Sequence, residues 1–254
     1  MNDSVRVETV ARALVVTIDR PRARNAVDAE VARGIADAVD RLESDPGLRV
    51  GVLTGAGGTF CAGMDLKAAA RGEQVTVPGK GFAGLAEART TKPLIAAVEG
   101  HALGGGFELA LACDLVVAAE GARFALPEVK RGLIAGGGGV VRLPRRVPHH
   151  VAMELLLTGR AITAERAREL GLVNRLTPDG RALPAALELA EEIAANAPLA
   201  LAAVKRTVRR ADGASEPEAF AAQTAEIGTL LRSADFAEGV RAFTEKREPR
   251  WSGR

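Results

Sequence analysis

The stretch VRVETVARALVVTID alternates apolar with polar residues and then runs β-branched around a short polar break. That order predicts a hairpin near residues 5 to 19, which Pro21 ends. The period then changes: Val31, Ile35, Val39 and Leu42 recur at helical spacing between Asp28 and about Ser44. Asp28 is placed to cap this helix and DPG to stop it. RVGVLTG, PLIAAVEG and DLVVAAE are short apolar runs bounded by glycine or charge, and each reads as a buried strand. A helix opened by the triple glycine Gly104 to Gly106 separates the last two. Strands alternating with helices over residues 1 to about 145 predict an α/β core whose βα loops and helix starts carry any site.

After Pro148 the strand signal disappears, and VAMELLLTG, TAERARELGLV, LPAALELAEEIAANAP and the segment from Ala200 to Arg247 carry helical patterns. Residues 195 to 204 and 218 to 226 are rich in alanine, which permits close helix packing but makes a weak seam for a monomer. The expected division is a core over residues 1–195 and a helical C-terminal region over 196–254 that covers the core or meets another subunit. Residues 68 to 90 are the least regular stretch and are expected to form a mobile wall of the site.

Composition narrows the classes. A chain of 254 residues fits one substantial domain that buries about 70 to 75 % of its unfolded surface without staples. Its 34 basic and 32 acidic residues leave a formal charge of +2 in a mixed distribution, with no nucleic-acid or polybasic membrane footprint. Cys61 and Cys113 are too far apart for a short metal motif and sit in apolar settings, so they are expected as reduced, buried thiols. His101, His149 and His150 form no metal-ligand spacing, and no metal is expected. The longest apolar stretch, Leu109 to Ala119, is broken by Asp114 and is too short for a bilayer. MNDSVRVETV has no basic region leading into an apolar core; the expectation is a cytoplasmic protein.

Candidate chemistry gathers at two glycine turns. GHALGGGFE places glycines directly before a helix, and GGTFCAGMDLK follows the RVGVLTG strand. Glycines at such points serve tight packing, or they leave backbone N–H groups open to an anion or a developing oxyanion. The N–H groups of Gly63 and Met64 on one turn, facing those of the triple glycine on the other, would form a two-donor oxyanion hole for one carbonyl oxygen. Asp65 either caps the short helix expected after it or orients the Met64 turn. Glu108 falls in the first turn of its helix, where the helix dipole alone would favour it. Glu128, in FALPEVKRG, follows the next strand and reads either as a solvated loop acid or as a second carboxylate facing Glu108 across one pocket.

DRPRARNAVD, TGAGGTFCAGMDLK, KPLIAAVEGHALGGGFELALACDLVVAAE, ARFALPEVKRGL and TGRAITAERARELGLVNRL together resemble, in order, stretches of the crotonase superfamily, also called the enoyl-CoA hydratase/isomerase family. The resemblance covers nearly the whole chain. It implies the crotonase (ClpP-like) fold, repeated ββα units in a spiral core with a helical C-terminal trimerisation region, and trimers that pair as hexamers. It implies that the N–H groups of Met64 and Gly105 form the oxyanion hole for a thioester carbonyl, that Ala62, Gly63, Asp65 and Gly104 in the same turns contact the substrate, and that Gly105 must stay free of a side chain. Glu108 and Glu128 match the two glutamates of the family's hydratases. The expected activity is syn addition of water to a trans-2-enoyl-CoA, with Glu108 activating the water at C3 and Glu128 delivering the proton to C2, the acid and base roles remaining interchangeable. Arg22, Arg24, Lys67 and, from a partner chain, Lys246 are candidates for the CoA phosphates, and Phe243 for the acyl or adenine region. CoA is part of the substrate, and no separate cofactor is implied.

GFAGL, GGGFELALA, ARFALPE, VVRLPRRVP and FTEKREPRWSGR resemble the branch that includes carnitinyl-CoA dehydratases. The second expected activity is therefore hydration of crotonobetainyl-CoA. An enoyl-CoA isomerase, a decarboxylase and a noncatalytic acyl-CoA-binding protein are the further alternatives. The chain has no tyrosine and one nearly terminal tryptophan, Trp251, which leaves few aromatic faces for a trimethylammonium group. In GLIAGGGGVVRLP, Ala135, Gly136 and Gly137 stand where relatives commonly carry a proline and polar residues. The run Gly136 to Gly139 is expected to widen or loosen the acyl pocket.

Overall fold

The computed structural model describes residues 4–254; residues 1–3, part of the stretch read for a leader, lie outside them. The expected hairpin is β1 (Val5–Val10) paired antiparallel with β2 (Ala13–Ile18). Helix α1 (Ala29–Ser44) follows, its first turn capped by the Asp28 side chain, which accepts the N–H groups of Glu30 and Val31. Val31, Ile35, Val39 and Leu42 form its buried face. Next come β3 (Val50–Gly55), the short α2 (Leu66–Ala70), and the small pair β4 (Thr76–Val77) and β5 (Gly81–Phe82). The least regular stretch thus contains a two-stranded ribbon.

β6 (Leu94–Val98), β7 (His101–Leu103) and α3 (Gly105–Ala112) make one ββα unit. β8 (Leu115–Ala119) and β9 (Arg123–Ala125) begin another, which ends in a 3₁₀ turn over Pro127–Arg131. α4 (Gly139–Arg146), α5 (His149–Thr158), β10 (Ile162–Thr163), α6 (Ala164–Glu169) and β11 (Arg175–Thr177) come next. The chain closes with α7 (Ala182–Ala194), α8 (Pro198–Ala211), α9 (Glu216–Leu230) and α10 (Ala234–Glu245).

The main sheet has the order β1-β2-β3-β6-β8-β11, parallel from β2 to β11. β11, like the two-residue β10, corrects the expectation that strands cease after Pro148. It is three residues long with a polar start, so no apolar run announces it. The ladder with β8 holds it, and Asn174 beside it exchanges hydrogen bonds with Val116 through its N–H and its Oδ1. A second, three-stranded sheet has the order β10-β9-β7.

Both faces of the main sheet are covered. On one, Leu14, Leu53, Ala96 and Val98 belong to the large core that takes in α1 and α3. On the other, Ala182, Ala186, Ala190 and Ala194 repeat every fourth residue along α7 and pack on Val50, Val52, Ile95 and Val117. A stripe of methyl groups lets this helix lie close to the strands. Lys205 anchors α8 to the core: its Nζ donates to Asp114 Oδ2 at 2.6 Å, to the Lys92 carbonyl at 2.7 Å and to Thr90 Oγ1 at 3.0 Å. Outward from there the helices are poorly covered, with Val204, Val208, Phe220, Ile227, Phe236, Val240 and Phe243 exposed. Among the described residues no helix is long and apolar enough to cross a membrane.

Candidate active site

The second sheet explains why distant segments meet. Ala102 of β7 pairs with Phe124 of β9, and Cys61 forms an isolated parallel bridge to Ala102 on the other side. Three neighbouring chains therefore run side by side in the same direction. Three residues beyond each paired position lie Met64, Gly105 and Pro127, so the two glycine turns and the start of the Glu128 turn emerge along one edge. They border one cavity of about 370 Å³.

Backbone bonding singles out the open donors at that edge. Phe60, Cys61, Ala62 and Asp65 donate their N–H groups to the carbonyls of Glu99, His101, Arg24 and Val27. Gly63 donates to Cys61 Sγ at 3.4 Å, which corrects the expectation that its N–H lies open. Among the described residues no acceptor meets the N–H of Met64 or that of Gly105, the first residue of α3. The turns touch: a Cβ on Gly63 would lie 2.8 Å from the Leu103 carbonyl oxygen and 2.9 Å from the Gly105 nitrogen.

The three consecutive glycines answer to three different neighbours. Gly104 has a φ of +55°, which side chains disfavour. A Cβ on Gly105 would strike the Phe82 ring, and one on Gly106 would strike the Cys61 carbonyl. Packing therefore accounts for Gly106, while Gly104 and Gly105 border the cavity.

Glu108 is 3 % exposed. Its Oε1 accepts the N–H of Gly139, the first residue of α4, at 2.8 Å. Burial pushes its carboxyl up to about 7; the Gly139 and Gly137 N–H groups oppose that shift and the Glu128 charge adds to it. Burial also raises Glu128, against its own N–H and Arg131. Glu128 Oε2 is buried with no hydrogen-bond partner. A Cβ on Gly104 would lie 3.2 Å from Glu128 Oε1, which puts this carboxylate against the glycine turn. The glycine run Gly136 to Gly139 does not simply loosen the pocket. A Cβ on Gly137 would lie 2.7 Å from Glu108 Oε2, so the absence of side chains lets the loop close on the carboxylate.

Ala62, Gly63, Met64, Gly104, Gly105, Glu108 and Glu128 all border the cavity. Arg22, Arg24, Asp65, Lys67, Phe243 and Lys246 do not. Asp65 is a support: Oδ1 caps α2 by accepting the N–H groups of Lys67 and Ala68, and Oδ2 pairs with Arg20 at 3.1 Å. Arg22, Arg24, Lys67 and Lys246 point to solvent, and Phe243 is 87 % exposed on α10. Both thiols are free and buried, and burial pushes each up to about 12.

Sequence reasoning missed several contributors. Phe82, Glu87, Arg131, Leu133 and Ile134 also border the cavity, and no local pattern marks them. Asn25 is fully buried. Its Nδ2 donates to the Ala56 and Thr59 carbonyls while its Oδ1 accepts from the Arg20 N–H, fastening the Met64 turn to the chain before α1. Arg24 and Asn25 both have positive φ, near +52° and +56°, and asparagine's tolerance of that region was the available signal.

The family model for enoyl-CoA hydratase/isomerase matches residues 8–254. The chain belongs to that family and has its crotonase fold. It is 47 % identical to enoyl-CoA hydratase EchA19 of Mycobacterium tuberculosis, covering 98 % of this chain and 96 % of that one. It is 43 % identical to the carnitinyl-CoA dehydratase of Proteus mirabilis over the full length of both. A crystal structure of an enoyl-CoA hydratase from Mycobacterium tuberculosis superimposes with a TM-score of 0.97 at 57 % identity, covering 99 % of this chain and 100 % of that one.

Proposed function

We propose that this protein is an enoyl-CoA hydratase that adds water syn across the double bond of a trans-2-enoyl-CoA to give the 3-hydroxyacyl-CoA. The observation that carries the proposal is the meeting, at one cavity, of two unengaged backbone donors and two buried glutamates with raised pKa values. The thioester oxygen accepts from the Met64 and Gly105 N–H groups, which stabilise the enolate-like charge that builds as C3 is attacked. One carboxylate takes a proton from the attacking water and the other carboxyl gives a proton to C2. Glu108, gripped by Gly139, is the base in the hydration direction. Glu128, whose Oε2 has no partner, is the acid. The Glu128 charge adds to the upward shift of Glu108, and the proposed mechanism uses the pair with one proton between them. CoA is held by exposed cations outside the cavity lining, with Arg22, Arg24 and Lys67 from one chain and Lys246 and Phe243 from a partner, in a trimer or a pair of trimers built through the 196–254 region.

Crotonobetainyl-CoA hydration is the second proposal. Full-length 43 % identity to a carnitinyl-CoA dehydratase favours it, as does the Glu87 carboxylate on the cavity wall. Against it stands the aromatic lining, which consists of Phe82, while Trp251 is fixed elsewhere by its bond to the Ala195 carbonyl. The test is steady-state loss of enoyl-thioester absorbance from crotonyl-CoA to hexadecenoyl-CoA, with crotonobetainyl-CoA alongside. Saturable hydration of the simple enoyl series is expected. Turnover of crotonobetainyl-CoA alone would transfer the assignment to the second proposal, and hydration of neither would reject both.

A further inference from the structure

Arg142, on the first turn of α4, sends its guanidinium to two segments that flank the cavity. One Nη donates to the Gly137 carbonyl at 3.3 Å and the other to the Ala86 carbonyl. Gly137 belongs to the glycine loop that closes on Glu108. Ala86 lies between Phe82 and Glu87, two residues that also line the cavity. Gly138 has a φ of +110°, and a Cβ there would strike the Arg142 guanidinium, so the loop and the arginine are fitted to each other.

We infer that Arg142 is a positioning residue: by clamping the glycine loop to the 82–87 wall it holds the Gly139 N–H on Glu108 and keeps a fixed positive charge beside that carboxylate. The inference rests on Glu108 acting as an acid or base. The charged groups around the pair are Glu128 from the 3₁₀ turn, Glu87 from the 82–87 segment, Arg209 from α8 and Arg146 on α4 itself. Cys113, at the end of α3, is a neutral thiol near neutral pH. Of these, Arg142 is the cation that acts on Glu108, and it lowers the Glu108 pKa against the effect of burial.

Arg142→Gln and Arg142→Lys separate clamp from charge. The Gln variant should lose about 10- to 100-fold in kcat, as expected for a slightly misplaced reacting group, with KM for crotonyl-CoA little changed. Its Glu108 titration should move up, because the lowering effect of the Arg142 charge is lost. The Lys variant keeps the charge but cannot span both carbonyls, so it should restore the titration without restoring kcat. The titration is read directly by carboxyl-carbon NMR of glutamate-labelled protein, with the signal assigned by Glu108→Gln, and so does not depend on turnover. An unmoved Glu108 signal in Arg142→Gln overturns the inference, whether kcat is normal or has fallen in step with thermal stability. If Glu108→Gln itself remains active, the acid–base role of Glu108 fails, and the NMR shift still decides whether Arg142 sets its charge.

Discussion

Glu108 holds a carboxyl in a place that opposes its ionisation. Its folded pKa of about 7 lies above the ordinary carboxyl value, so the native state binds the proton more tightly than the unfolded chain. The resulting destabilisation is absent below about pH 4.5, grows as pH rises, and is complete above about 7. It amounts to roughly 3 kcal/mol. Glu108→Gln should therefore unfold at a higher temperature than the unmodified protein near pH 8 and at almost the same temperature near pH 4.5, by calorimetry at both. Equal shifts at the two pH values would contradict the burial argument. The same titration bounds catalysis. The proposed mechanism needs the glutamate pair with one proton, so it predicts that kcat/KM for hydration falls on the alkaline side near pH 7 as that proton leaves. Both glutamates were legible from the sequence because each sits one short step after a strand or a glycine turn. The grip of Gly139 on Glu108 was not legible, because it joins residues 31 apart through a loop whose course depends on the packing of α4.

The long elements were readable because periodicity needs several residues to declare itself. α1 and β1 to β3 follow their patterns, and Asp28 caps where a short acceptor before an apolar helical face should. β7, β9 and β10 have two or three residues each and exist through their neighbours, yet this small sheet aligns the site. Two substitutions probe that alignment. Gly106→Ala drives a methyl group into the Cys61 carbonyl and should cost about 1 to 3 kcal/mol, the range for an overpacked interior, measured by denaturant unfolding. Asp65→Ala removes the α2 cap and a partner of Arg20. It should cost about 1 kcal/mol of stability and lower kcat more than it raises KM, because the Met64 N–H lies on the adjoining turn. A KM effect alone would instead place Asp65 among the CoA contacts.

Across the molecule, two packing regimes divide the chain. The sheet buries most of its apolar residues and α7 buries an alanine stripe against it, whereas α8 to α10 leave Val204, Val208, Phe220 and Phe243 in solvent. Such surface is usually covered by a partner, as the proposed trimer would do, and light scattering at micromolar concentration should give a trimer or hexamer; a monomer would contradict that assembly. The alanine richness of the helical region was visible in the sequence. Which alanines serve the sheet, as Ala186 and Ala190 do, and which face outward was not, since that choice depends on how each helix lies on the core. The measurement that tests the proposed hydratase most directly is the turnover of crotonyl-CoA by Glu108→Gln and Glu128→Gln, with folding checked by circular dichroism. Each should lower kcat by roughly 10² to 10⁴ with a much smaller change in KM, and the double variant should fall far short of the product of the two losses. Near-normal hydration by either single variant would remove the two-carboxylate mechanism and leave an isomerase-like use of one glutamate in its place.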